Sequence, residues 1–192
     1  MRLPTLLILC LCWFGPVAAT GANTTAPAQG IGPGDMAPDI GGVALSGEPA
    51  RLSELRGKVV IVDFWASFCG PCIIAMPELN QLRKEIHAMG MGDRFEILGV
   101  GMDHDLDHAK AFLERYPVDY PVISDMLGIA SKMYGVWRLP ATYILNPQGR
   151  TMMVYHGYGE AFGPDMRQKT LELLQNPENA TPSWLQAPDP KP

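Results

Sequence analysis

Hydrophobic and polar positions along this chain alternate between two periods. Val59 to Trp65, VVIVDFW, is almost continuously apolar and rich in β-branched residues, which predicts a buried strand; Phe95 to Val100, FEILGV, predicts a second and Val122-Ile123 a short third. After Cys72, apolar residues return at helical spacing through Ile73, Ile74, Met76, Leu79, Leu82 and Ile86, and the helix is expected to kink at Pro77 and stop near Gly90 or Gly92. Asp105 caps a second amphipathic helix whose Ala109, Phe112 and Leu113 face inward. Strand-helix-strand order implies that the first two strands are parallel. A helix follows from about Met126 to Tyr134. The turn Asn146-Pro147-Gln148-Gly149 then joins Thr142–Leu145 to Thr151–Tyr155 as an antiparallel hairpin, and a last helix runs from near Pro164 to Asn176. Before all of these, Gly41-Gly42 and Ser46-Gly47 mark turns in an N-terminal extension of short strands, Met36 to Arg56.

The ends break this pattern. Arg2, the apolar run Leu6 to Phe14 and the small residues Val17-Ala18-Ala19 form a secretory signal over residues 1–19, with cleavage before Thr20; left uncut, it would act as a membrane tether. Residues 20–34, rich in Ala, Gly, Thr and Pro, read as a flexible linker, and 177–192, with five prolines, as a disordered tail. That leaves one domain over 35–176. Within 192 residues, 47% hydrophobic and 18% charged describe an ordinary globular chain. A net charge of -5 with no basic stripe excludes nucleic acid as a partner. The signal directs the chain to an extracytoplasmic space, the periplasm if the source is read as bacterial.

Export changes the meaning of the cysteines. Cys10 and Cys12 fall in the removed segment, so Cys69-Gly70-Pro71-Cys72 holds the two thiols that remain. A single pair closing so small a loop adds little stability, which favours exchange over a structural bridge or half a zinc site. Cys69 stands at a helix N-terminus, where the dipole lowers a thiol below its usual value of about 8.5 and favours the attacking thiolate. Cys72, one turn further in, is placed to resolve a mixed disulfide. Pro71 suits a first turn. Asp63 is a carboxylate inside an apolar strand, so desolvation raises its pKa and makes it a proton acceptor for Cys72; the alternative is a structural ion pair with Lys58. Trp65 and Phe68 flank the dithiol as an apolar rim, core packing being the alternative for Trp65. Asp103, His104, Asp105, Asp107 and His108 read as capping and solvated residues rather than a metal loop.

The run Asp63-Phe64-Trp65-Ala66-Ser67-Phe68-Cys69-Gly70-Pro71-Cys72 resembles the thioredoxin active-site segment, with Phe68 in place of its second tryptophan. The likeness extends from about Gly34 to Asn176 through Ala37-Pro38-Asp39-Ile40, Leu52 to Lys58 and Leu139-Pro140-Ala141-Thr142, and is similar to the exported TlpA/ResA/CcmG (DsbE) group. It implies an α/β thioredoxin-like fold, a central mixed sheet flanked by helices with an N-terminal strand extension. It also implies a cis Pro140 facing the dithiol, with the Leu139 backbone open to a substrate strand, and a proton-carrying role for Asp63. Asp63 and Ala75 depart from that group, which carries Asn on the strand and Glu on the helix. Glu78, just past Pro77, is expected to face solvent.

By the same resemblance the chain is an exported thiol-disulfide oxidoreductase that needs no cofactor or metal and acts on protein disulfides and dithiols. The reducing direction is implied, toward apocytochrome c cysteines or an oxidase copper site, with electrons from a membrane thiol donor. Two alternatives stay open: a disulfide-donating oxidant, and a copper-binding assembly chaperone using Cys69, Cys72 and His156.

Overall fold

The computed structural model describes residues 30–176. The expected signal (1–19), the first ten residues of the expected linker (20–34) and the expected tail (177–192) lie outside them.

Every side chain of the strand β3 (Val59–Trp65) is buried, as an unbroken apolar run demands of a strand covered on both faces. It is the middle of a five-stranded sheet in the order β5 (Val122–Ser124), β4 (Phe95–Gly101), β3, β6 (Ala141–Leu145), β7 (Thr151–His156). Strands β3, β4 and β5 are parallel, and β6 and β7 antiparallel, so the sheet is mixed. The helix α1 (Cys72–Ala88) crosses from β3 to β4 and α2 (Leu106–Arg115) from β4 to β5. The short helix α3 (Ile129–Tyr134) precedes β6, and α4 (Phe162–Gln175) follows β7. No helix among the described residues is long and apolar enough to cross a membrane.

Strand alternation divides the core in two. Val59, Ile61 and Trp65 pack with Leu79, Leu82 and Ile86 of α1, Phe112 of α2 and Phe162 and Met166 of α4. On the other face Val60, Val62 and Phe64 pack with Tyr134 of α3, Tyr143 and Leu52. The first cluster also explains how α1 runs unbroken from Cys72 to Ala88 through Pro77. An internal proline costs about 3 kcal/mol, whereas each fully buried Met, Leu or Ile contributes about 1.5–3 kcal/mol. Met76, Leu79 and Ile86, all buried, outweigh it.

The N-terminal extension forms a hairpin, β1 (Gly41–Val43) with β2 (Pro49–Arg51). It lies along β5, where Leu45 N donates to Val122 O at 2.8 Å and Ala44 bridges Ile123, and so covers a sheet edge. The end of the expected linker belongs to the domain: Ile31 is buried in the second cluster, its N–H donates to Tyr134 O, and Gly34 N donates to Thr151 O. An apolar side chain with a place in the core overrides a linker-like composition. Helix α3 starts three residues later than expected, because the Asp125 carboxylate accepts from Ala130 N (2.9 Å) and Ser131 N (2.8 Å) across Gly128, whose φ is +66°. Helix α4 starts two residues earlier than expected.

Candidate functional site

Strand β3 delivers the chain to the dithiol, which lies beyond its C-terminal end. Cys69 and Cys72 are joined, with S–S 2.07 Å and Cα–Cα 5.4 Å. Cys72 N donates to Cys69 O at 3.1 Å and Ile73 N to Gly70 O at 3.2 Å, so the turn winds straight into α1. Cys69 therefore sits just ahead of the positive end of the helix dipole. The two cysteines are unequal: Cys72 is fully buried, whereas Cys69 is 7% exposed beside the exposed Gly70 and Pro71.

The loop between strand and dithiol is held from beneath. Buried Asp103, two residues past β4, accepts from Ser67 N at 3.0 Å and from Ser67 Oγ at 2.5 Å. This residue belongs to the acidic and histidine-rich stretch, which the structure divides among other tasks. Asp105 caps α2 by accepting from Asp107 N, and His104 Nδ1 meets Met126 O. Among the described residues no three His, Cys, Asp or Glu side chains are grouped to hold a metal ion.

Alternation turns Asp63 toward the α1 face, opposite Gly99 on β4 and Thr142 on β6. It is fully buried; Thr142 Oγ1 donates to its Oδ1 at 2.7 Å, and Oδ2 has no partner. Burial pushes its pKa from the ordinary 3.8 up to about 7, with the Thr142 hydrogen bond pulling the other way. Lys58, considered as an ion-pair partner, instead extends its Nζ to Gly92 O at 3.4 Å. The partner of Asp63 is thus a hydroxyl, supplied by the antiparallel register of β6.

Trp65 does not form part of an apolar rim. Its side chain is fully buried and stacks on Phe112 at 5.0 Å and 29°, because the inward alternation of β3 carries it into the first cluster. Phe68, in the loop, is 75% exposed and does stand at the surface. The Leu139–Pro140 bond is cis. Phe64 pairs with Ala141, so the start of β6 lies beside the end of β3, which brings Pro140 to the dithiol end of the sheet. Leu139 packs against the cluster that contains both cysteines.

Glu78 is half-buried rather than solvent-facing: Tyr158 Oη donates to its Oε1 at 2.9 Å, and Oε2 is buried close against Gly163. The approach of α4 to α1 encloses it, a long-range contact that its neighbours in sequence do not announce. His156 lies against Trp137 (5.1 Å) and Tyr143, which belongs to the cluster on the face opposite the cysteines, so the sheet separates it from them. Trp137 itself is 71% exposed, two residues ahead of Leu139, and no hydrophobic period singles it out.

Residues 33–152 match the model of the AhpC/TSA family. The chain is 33% identical to the thioredoxin-like protein YneN of Bacillus subtilis, over 67% of this chain and 74% of that protein. It is 31% identical to the thiol-disulfide oxidoreductase ResA of Geobacillus kaustophilus, over 82% of this chain and 86% of that protein. Among solved structures it is similar to a Chlorobium tepidum protein described as a thiol:disulfide interchange protein DsbE, with TM-score 0.67, 31% identity and coverage of 72% of this chain and 95% of that one. A thiol-disulfide oxidoreductase of Bacteroides fragilis superposes with TM-score 0.60 at 26% identity, covering 70% of this chain and 99% of that one.

Proposed function

We propose that this chain, which belongs to the AhpC/TSA family and is a thiol-disulfide oxidoreductase of ResA/DsbE type, works in the reducing direction on protein disulfides outside the cytoplasm. The observation that carries the reading is the asymmetry of the pair: Cys69, 7% exposed beside the exposed Gly70 and Pro71, is bonded to a fully buried Cys72, on the sheet face that also holds a buried carboxylate whose pKa burial pushes up to about 7.

In the reduced enzyme the Cys69 thiolate attacks a substrate disulfide. A Cys69–substrate disulfide forms, the substrate S–S bond breaks, and the departing thiolate takes up a proton. Cys72 then gives its proton to Asp63 and attacks the Cys69 sulfur. The Cys69–Cys72 bond forms, the mixed disulfide breaks, and the second substrate sulfur leaves as a thiolate that takes up a proton, Asp63 giving its own back to solvent. Two electrons pass from the enzyme to the substrate, and no cofactor takes part. A protein dithiol carrying electrons across the membrane returns the pair to its reduced state. Cys69, Cys72 and Asp63 are the catalytic residues in this reading. Phe68, Gly70 and Pro71 offer an exposed face beside Cys69, and Leu139 and Pro140 hold an extended substrate segment against the sheet end. Trp65 supports the dithiol from the core. The substrates that suit an exported reductant are the cysteine pairs of apocytochrome c or of an oxidase copper site.

The test is an acid-quenched alkylation of the protein in its own cells, with a Cys72→Ser variant to trap partners. A mostly reduced pair, and trapped partners bearing paired cysteines, are expected. A pair that stays oxidised while its membrane donor is present would make the protein a disulfide donor instead.

A further inference from the structure

Asp63 has one satisfied oxygen and one orphan, and it is not alone in this. Among the described residues, Asp63 Oδ2, Trp65 Nε1 and Tyr120 Oη are buried on the same face with no protein partner. Their residues are almost completely enclosed, Asp63 and Trp65 at 0% exposure and Tyr120 at 5%. They meet around Gly99. This glycine is the β4 neighbour of Asp63, and a Cβ placed on it would lie 3.0 Å from Val122 Cγ2, 3.2 Å from Tyr120 Cε2 and 3.5 Å from Trp65 Nε1. The tyrosine ring and Val122 thus share the space that a side chain on β4 would otherwise fill beside the carboxylate.

Tyr120 is held there from two sides. Before it, Asn80 of α1 donates from Nδ2 to Asp119 Oδ2 at 3.2 Å, and Asp119 N donates back to Asn80 Oδ1 at 2.9 Å. After it, Pro121 O accepts from Gly99 N at 2.9 Å. The loop between α2 and β5 is fixed to the helix that carries Cys72 and to the strand beside Asp63. Two donors and one acceptor, all buried and unpaired, are the arrangement that one enclosed water satisfies.

We infer that Tyr120 is a positioning residue for Asp63: through one bridging water its hydroxyl, together with the Trp65 indole N–H, donates to Oδ2 and steadies the carboxylate that receives the Cys72 proton. The inference rests on the reading of Asp63 as proton acceptor. Burial and the neighbouring Asp63 charge both push the Tyr120 hydroxyl far above its ordinary pKa of 10.0, so it keeps its proton and remains a donor. The reverse influence is a hydrogen bond rather than a charge, since Tyr120 is neutral when Asp63 ionises. Around Asp63 on this face stand Thr142 from β6, bare Gly99 from β4, Trp65 from its own strand, Tyr120 from the loop and Cys72 from α1. Of these Tyr120 is the titratable one, Cys72 being held in the disulfide.

The test combines the Asp63 carboxyl titration, followed by NMR on carbon-labelled aspartate, with insulin-reduction rates against pH for wild type, Tyr120→Phe, Asp63→Asn and the double variant. Tyr120→Phe keeps the ring that packs on Gly99 and removes the hydroxyl alone, so the fold is expected to stay intact. In Tyr120→Phe the Asp63 midpoint is expected to rise by about one pH unit, since a donor to the ionised form is lost. The rate at pH 7 is expected to fall about fivefold as the ionised fraction drops, with the pH profile displaced upward and no further loss on an Asp63→Asn background. An unmoved Asp63 midpoint in Tyr120→Phe overturns the inference. Should Asp63→Asn leave the rate unchanged, the proton-acceptor reading fails by itself, and the NMR midpoint still decides whether Tyr120 acts on Asp63.

Discussion

Replacing Asp63 by Asn tests the site through stability as well as through turnover. Asn keeps an oxygen that accepts from Thr142 Oγ1, so the 2.7 Å hydrogen bond survives and only the charge is removed. In the wild type the folded pKa is raised from 3.8 to about 7, so the protonated acid is the form that the fold favours. Stability from this group is complete below pH 3.8, erodes as pH rises and reaches its floor above pH 7. At about 1.4 kcal/mol for each pH unit between the two values, the full penalty is about 4 kcal/mol. Asp63→Asn is therefore expected to be more stable than wild type by about 4 kcal/mol at pH 8 and about 2 kcal/mol at pH 5, and equal to it below pH 3. Guanidinium unfolding of both proteins in the disulfide form, at matched pH values, measures the difference directly, and groups common to the two proteins cancel. A difference that does not change with pH, or a wild type that is the more stable at pH 8, would refute the desolvation reasoning. The same variant is expected to resolve mixed disulfides at least tenfold more slowly, as general-base assistance commonly supplies 10²–10⁴-fold.

Other perturbations probe the surroundings of the dithiol. Thr142→Val removes the one hydrogen bond that opposes burial, so the Asp63 titration should move further upward, and with it the rising limb of activity against pH. Asp103→Ala leaves Ser67 N–H without its buried acceptor; a loss of about 1–3 kcal/mol is expected in denaturant melts, and a cost near zero would mean that the loop is anchored elsewhere. Phe68→Ala alters a side chain that is 75% exposed, so stability should stay within about 0.5 kcal/mol. Its KM for a protein disulfide should rise while the rate with a small disulfide is unchanged. Equal losses on both substrates would place Phe68 in the chemistry rather than in docking.

The sequence by itself determined the elements that local chemistry controls. Buried strands β3 and β4 follow from continuous apolar runs, and the cap of α2 follows from Asp105. The dithiol at a strand-to-helix junction was legible from two cysteines between a β-branched run and a helical period. The depth of Asp63 was legible too, because no polar alternation surrounds it. Tertiary structure decided what depends on neighbours brought from afar. Register, set by how β6 pairs with β3, gave Asp63 the Thr142 hydroxyl rather than Lys58, and crossover geometry laid Tyr120 over Gly99. Packing of α4 on α1 enclosed Glu78, and the alternation that faces Trp65 inward, against Phe112, took it from the rim to the core. The physical reason is common to these cases. A hydrophobic period reports that a residue is buried, but the partner that meets it is fixed by sheet order and helix packing, which join positions tens of residues apart.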